Sequence, residues 1–376
     1  MTHPTSEGPA WYIGVMSGSS LDAIDVGVFA FDGAGPADLI AHHCHPIPEE
    51  LRREVVALAE PGTSELARTG VLDHRFGELI AEAVNTLLAK HQIHRRDIAA
   101  VGSHGQTIRH DPNHAHPFTW QVGDPNLIAE LTGLVVVADF RRRDLAVGGQ
   151  GAPLACGFHA ARFRGPNARM VLNLGGIANL TCLPPADQTV PVVGFDTGPA
   201  NLLMDAWCQR HRNTPFDADG AWASGAAPDE ALLDRLLRHP FLQAPPPKST
   251  GREDFTLRWL ELQLAEVNEV DPVQVQATLL AFTAQSISAA IDRWGNEGGL
   301  FLCGGGSRNR ALVEALRSRL PETSITTTAS LGLEPQWVEA ATFAWLARER
   351  LAGRPGNLPS VTGAERAVPL GGLYVA

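Results

Sequence analysis

The alternation of apolar and polar positions predicts a β-hairpin near the start of the chain. Trp11–Ser17 is a short β-rich run, Gly18-Ser19-Ser20-Leu21-Asp22 is a small polar turn, and a second apolar run extends from Ile24 to Phe31. A similar unit opens again at Arg169, where Met170–Leu174 and Ile177–Thr181 flank Gly175-Gly176. Between these marks the period changes. Phe76, Leu79, Ile80, Ala83 and Leu87 form a helical stripe within Arg75–Leu88, and Val275–Trp294 reads the same way. Each half later holds a strand running into a polar glycine loop: Ile98–Val101 before Gly102–Thr107, and Leu300–Cys303 before Gly304–Asn309. The order of hairpin, helices, strand and loop thus occurs twice. That predicts two related α/β lobes, with coincidence in a long α/β chain as the alternative. Pro184–Pro191 and Pro245–Pro247 read as surface connections, and a lobe boundary is expected near Asp139.

Length agrees with two lobes. At 376 residues the chain exceeds the roughly 250–300 at which single cores stop growing. A net charge of -11 argues against a general nucleic-acid binder, which needs clustered cations on phosphate. No run approaches the roughly 18 apolar residues of a membrane span, and polar Met1–Gly8 lacks the basic start and apolar core of a signal. The expectation is a cytoplasmic protein without membrane or nucleic-acid partners. Five widely spaced cysteines, with no Cys-x-x-Cys, read as reduced thiols. The only lysines are Lys90, preceded by Ala89, and Lys248, preceded by Pro247, so a Walker-type Gly-Lys-Ser/Thr loop is absent. If the chain binds ATP, it does so another way.

Several segments can carry chemistry. Gly18–Asp25 is a candidate phosphate cradle, with backbone N–H groups and the hydroxyls of Ser17, Ser19 and Ser20 as donors. Asp22 and Asp25 can hold water around magnesium, while a tight hairpin with Asp as a turn residue is the plain alternative. In Val192–Asn201 a β-rich run ends at Asp196, and Pro199 stands at an expected helix start able to accept an anion. A carboxylate there can remove a proton during phosphoryl transfer, or simply cap the helix. Gly304-Gly305-Gly306 before Ser307-Arg308-Asn309 lets a flat ligand such as adenosine lie against backbone, or is a simple turn. Asn309 breaks a dinucleotide Gly-x-Gly-x-x-Gly pattern. Asp139–Asp144, leading to Gly148–Pro153, is dense in charge and glycine, and Arg141 offers a fork for a sugar or phosphate. His110, His114 and His116 sit among Pro, Asn and Asp, which suggests an exposed loop, so no metal site is assigned.

These segments together resemble one family. Met16–Asp22, Ser103–Thr107, Asp139–Arg141, Gly148–Pro153, Asn173–Asn179, Phe195–Pro199, Lys248–Glu253, Cys303–Asn309 and Leu358–Ala364 are similar, in order, to the motifs of anhydro-N-acetylmuramic acid kinases. Departures fall at Ser19, where the family usually has Thr, at Ala23 and Ala200, where it usually has Gly, and through Glu334–Val338. The resemblance implies the two-lobed actin/hexokinase/Hsp70-like α/β fold, with a mixed sheet in each lobe and an active-site cleft. Residues 1–138 with about 356–376 are expected as one lobe and 139–355 as the other. It implies that ATP, water and 1,6-anhydro-N-acetylmuramic acid give ADP and N-acetylmuramic acid 6-phosphate in peptidoglycan recycling. Magnesium is the implied cofactor and a homodimer the implied assembly. By the resemblance Asp196 is the catalytic base. Gly18, Ser19, Ser20, Leu21, Asp22, Ala23, Ile24, Asp25, Gly175, Gly176, Asn179, Gly304, Gly305, Gly306 and Asn309 bind ATP, and Gln106, Thr107, Arg141 and Glu339 bind the sugar. The alternatives are another amino-sugar kinase of the same fold, a non-catalytic sugar or nucleotide sensor, and a glycosidase using Asp196 with Glu339.

Overall fold

In the computed structural model the described residues are 11–18, 21–31, 37–58, 62–251, 254–295 and 297–376. The chain divides into two compact units, residues 1–162 with 337–376, and residues 163–336.

The first unit is built on β1 (Trp11–Ser17), β2 (Ala23–Phe31), β3 (Ala37–Pro46) and β4 (Ile98–Ser103), followed by β5 (Gln106–Asp111), β6 (Phe118–Val122) and β7 (Val136–Ala138). The second unit carries β8 (Arg169–Leu174), β9 (Ile177–Leu183), β10 (Val193–Pro199), β11 (Gly299–Cys303) and β12 (Ile325–Thr327), and β13 (Gly372–Tyr374) returns to the first. Among the described residues the sheets run β13-β7-β4-β1-β2-β3 and β10-β9-β8-β11-β12, with β5 and β6 as a separate pair. In each large sheet three strands form an antiparallel meander, and two more add in parallel beside the first of them. Apart from β13, which adds antiparallel to β7 at the edge of the first sheet, both sheets therefore share one strand order and one sense. That doubled α/β plan is the actin/hexokinase/Hsp70-like fold, and it rules out coincidence as the source of the repeated sequence order.

Packing in the first unit depends on close approach. Gly27, Gly14 and Gly102 stand side by side across β2, β1 and β4. A Cβ on Gly14 would lie 1.8 Å from the Ala340 carbonyl oxygen, and one on Gly102 would lie 2.0 Å from that of Phe343. Only glycine lets the Val338–Leu351 helix settle onto the strands this closely. Beneath it, Ile13, Val26 and Val101 join Phe76, Ile80 and Val84 of the Glu65–His91 helix in one apolar core. The second core gathers Leu172, Leu180 and Phe195 with Phe282 and Ile287 of the Pro272–Trp294 helix.

The divide falls after residues 162 and 336 instead of near 139 and 356. Two features explain the correction. The Val338–Leu351 helix is seated on the first sheet through the glycines just described. Fully buried Asp144 accepts hydrogen bonds from Gly151 N (2.7 Å), Asn357 Nδ2 (2.7 Å) and Thr362 Oγ1 (2.9 Å), tying residues 144–151 to the C-terminal segment. Glu339 accordingly belongs to the first unit, not the second.

Candidate active site

Asp196 lies within β10, not at its end. The strand continues to Pro199, and the next helix spans Asn201–Arg212 with Ala200 as its cap residue. Pairing with β9 slips between Asp196 and Gly198, so Thr197 is the extra residue of a β-bulge, a device that re-aims a side chain. Gly198 has φ +140°, which a side chain would strain. Asp196 is only 5% exposed, its N–H donates to the Lys248 carbonyl (3.1 Å), and its Oδ2 accepts the Thr250 N–H (2.9 Å). The cap residue of the following helix is Ala200, not Asp196, which removes the reading of Asp196 as its cap. The helix start is not an anion site either. The N–H groups of Ala200 and Leu202 donate to the Gly176 carbonyl, and that of Asn201 donates to Gly175.

The glycine loops of the second unit converge on this sheet end. Gly304 adopts φ +77°, and a Cβ there would lie 2.3 Å from Asn173 Oδ1, so β11 leaves the sheet pressed against β8. Gly306 packs on Leu174 and Asn201, whereas a Cβ on Gly305 would meet nothing within 4 Å. That open backbone face suits a flat ring. Asn179 pairs with Asp196 across β9 and β10, and its buried Oδ1 has no partner among the described residues. Ser249 Oγ, on the segment that holds Asp196, is likewise buried without one. Two orphaned polar atoms around a buried carboxylate leave hydrogen-bonding capacity for a ligand. The oxygen of Asn309 is committed to the Leu312 N–H (3.1 Å), capping the next helix.

In the first unit the hairpin turn carries Leu21 at φ +58°, uncommon for a leucine, with its N–H donating to the Gly18 carbonyl (3.3 Å). Ser19 and Ser20 lie outside the described residues. Ser17 Oγ donates to Gln106 Oε1 at 2.6 Å, so this hydroxyl ties the hairpin to β5 and is not a spare phosphate donor. Asp22 pairs with Arg52 (3.7 Å), while Ala23, Ile24 and Asp25 are part of β2. Neither Ala23 nor Ala200 has positive φ, so the extra methyls relative to glycine cause no backbone strain. Thr107 Oγ1 accepts from Gln121 Nε2 (3.1 Å). Arg141 is held from two sides: Nη1 donates to the Gly151 carbonyl (2.8 Å), and Nε and Nη2 donate to His104 Nε2 (3.0 and 2.9 Å). Burial, with the Arg141 charge beside it, pushes His104 well below the ordinary histidine range. A neutral imidazole with Nε2 as acceptor is what the guanidinium requires. Glu339 is half-buried in the first turn of its helix. The Asp111–Pro117 turn is exposed at His114 and His116, while His110 is half-buried on β5.

The anhydro-N-acetylmuramic acid kinase family model matches residues 10–376. This chain belongs to the anhydro-N-acetylmuramic acid kinase family. The anhydro-N-acetylmuramic acid kinase of Coxiella burnetii (strain Dugway 5J108-111) is 49% identical over 365 residues, covering 96% of this chain and 97% of that protein. That of Shewanella sp. (strain MR-7) is 50% identical over 368 residues, covering 98% and 99%. Among solved structures, the (R)-2-hydroxyglutaryl-CoA dehydratase component A of Acidaminococcus fermentans aligns over 91% of this chain and 99% of its own. Its TM-score of 0.48 and 14% identity are too loose to bear on chemistry.

Within this kinase family member, sequence reasoning assigned no role to His104, Lys248 or Thr250, although all three lie in motifs that carried the resemblance. A signal existed for Lys248: one of only two lysines, after three prolines, in a chain whose other cationic side chains besides histidine are arginines. Thr250 offered none, because it acts through its backbone N–H, which every residue except proline possesses.

Proposed function

We propose that the chain is an ATP-dependent sugar kinase that converts 1,6-anhydro-N-acetylmuramic acid and water to N-acetylmuramic acid 6-phosphate in cell-wall recycling. The observation that carries this reading is Asp196: a buried carboxylate on a strand bulge, held by a backbone N–H, in a chain of this family. In the proposed reaction Asp196 takes a proton from water, the water oxygen bonds to the anomeric carbon, and the bond from that carbon to O6 breaks. O6 then bonds to the γ-phosphorus as the bond to ADP breaks. Phosphoryl transfer leaves the protein mainly positioning and electrostatic work.

In the second unit the nucleotide would lie on Gly304-Gly305-Gly306, with Gly175, Gly176 and Asn179 contributing from β8 and β9; in the first unit Gly18–Asp25 is the proposed phosphate-binding turn. The open face at Gly305 supports a flat adenine there. Gln106, Thr107, Arg141 and Glu339 would bind the sugar, and Arg141 suits a carboxylate or hydroxyl because its fork is already fixed by His104 and Gly151. Magnesium would enter with the nucleotide. Among the described residues no group of three His, Cys, Asp or Glu side chains could hold a metal, whereas magnesium on phosphates needs only one or two carboxylates and water. A homodimer in the cytoplasm completes the reading. Among the described residues no helix is long and apolar enough to cross a membrane.

The test is ADP release from purified protein with magnesium, ATP and 1,6-anhydro-N-acetylmuramic acid, followed by mass analysis. A product heavier than the sugar by one water and one phosphoryl group supports the reading. ADP released only with other amino sugars moves the substrate, ring opening without ATP indicates a glycosidase, and ligand binding without turnover indicates a sensor.

A further inference from the structure

Lys248 is buried, with 5% of its surface exposed. Its ammonium lies 4.6 Å from the ring centre of Phe241, 4.8 Å from Trp294 and 5.7 Å from Phe195, and donates to the carbonyls of Phe241 (3.0 Å) and Leu242 (3.4 Å). Burying a cation is costly without compensation, and ring faces with carbonyl oxygens supply it. A well-packed apolar side chain could often fill such a space as stably, so stability alone does not account for the charge. The segment that bears Lys248 offers the reason. The Lys248 carbonyl accepts the Asp196 N–H, and two residues later the Thr250 N–H donates to the Asp196 carboxylate. We propose that Lys248 is a positioning residue for Asp196: its caged ammonium anchors the 245–250 strap, whose backbone orients the carboxylate. The proposal rests on the reading of Asp196 as the base.

The anchor is sensitive to pH. Burial lowers the amine from its ordinary 10.5 to about 8, opposed by Asp196 on β10 and reinforced by Arg293 on the Pro272–Trp294 helix. The Pro240–Gln243 helix faces it with a ring and two carbonyls. As pH rises through about 8 the amine loses its proton, and with it the ring attraction and the charge-assisted bonds. The strap then loosens and kcat falls.

The experiment measures kcat, both KM values and Tm with ATP and 1,6-anhydro-N-acetylmuramic acid over roughly pH 6 to 10, in the parent, K248M, K248R and D196N. K248M should lower kcat about tenfold to a hundredfold, abolish the alkaline limb, and leave the KM for ATP and the Tm near parental values. K248R should recover part of kcat and shift the limb upward, because guanidinium keeps its proton. Parental kcat with an unchanged alkaline limb in K248M overturns the proposal. So does a lowered Tm with an unchanged pH profile, which a merely structural lysine would give. If K248M does not fold, the decision passes to the other proteins: a parent without an alkaline limb, or a limb unmoved in K248R, overturns it. An active D196N refutes the base reading and this proposal together, whereas inactive D196N beside parental K248M refutes the proposal alone.

Discussion

Replacing Asp196 with asparagine isolates basicity from geometry. The carboxylate is 5% exposed, and its Oδ2 accepts the Thr250 N–H at 2.9 Å. An asparagine with its carbonyl oxygen in that place keeps this bond, fills the same volume and retains the backbone link to Lys248. What it loses is the ability to take a proton. General-base catalysis contributes roughly a hundredfold to ten-thousandfold. D196N should therefore lose about 3–5 kcal/mol of transition-state stabilisation. Loss of binding is not expected, because the glycine turns proposed to hold the nucleotide present backbone. The assay is coupled ADP release for kcat, with ATP affinity by calorimetry and Tm by thermal denaturation on the same preparation. A kcat within a few-fold of the parent, in a protein of unchanged Tm, would show that Asp196 is not the base. A large loss of ATP affinity would instead mean that the side chain acts in the ground state.

Other perturbations test separate links. Gly14→Val places its branch point where the Ala340 carbonyl lies 1.8 Å away, so the helix must lift; Tm should fall by the equivalent of about 3 kcal/mol or more, and an unchanged Tm would contradict the packing. His104→Phe removes the acceptor of two Arg141 N–H bonds but keeps an aromatic ring against Phe343. The KM for the sugar should rise about tenfold with the KM for ATP unmoved, and equal effects on both would contradict a local role for Arg141. His159 is fully buried, and burial pushes it from 6.5 down to about 3. In that window the unfolded chain binds a proton that the native state does not, so this histidine costs stability as pH falls below 6.5. His159→Leu should gain on the parent in Tm as pH drops from about 6.5 toward 4, and parallel curves would refute the reasoning.

Much of the architecture is written in local pattern. The Trp11–Ser17 strand, the hairpin turn after it, the helix containing Arg75–Leu88 and the strand at Leu300–Cys303 are all visible as runs of period two or 3.6. The repeated order of these elements pointed to two related sheets before any strand pairing was known, because each element carries its own apolar face. The motifs around Gly18, Asp196 and Gly304 were legible too, since glycine and aspartate are unusual at the end of an apolar run. The helix start after Asp196 was misread. Pro199 looks like a first helical residue, but strand pairing with Ile177 extends β10 through it, and the expected anion donors bond instead to Gly175 and Gly176. The lobe limits were misplaced because no local signal distinguishes a helix that packs backward in sequence from one that packs forward.

The sequence by itself determined the family, through short ordered motifs, and the fold class came with that resemblance; side-chain periodicity predicted two related lobes but left coincidence open until the strand pairing was seen. Only the tertiary structure decided which polar groups are already spent and which are held ready. Ser17 is tied to Gln106 across 89 positions, Arg141 is locked by His104 across 37, and Asp196 is oriented by a backbone N–H 54 positions away. The physical reason is that hydrogen bonds are short and directional, so a partner's identity depends on where the chain returns in space. Burial acts the same way on charge. Lys248 and His104 have ordinary side chains, and the surrounding core makes one a cation held by rings and the other a neutral acceptor for an arginine.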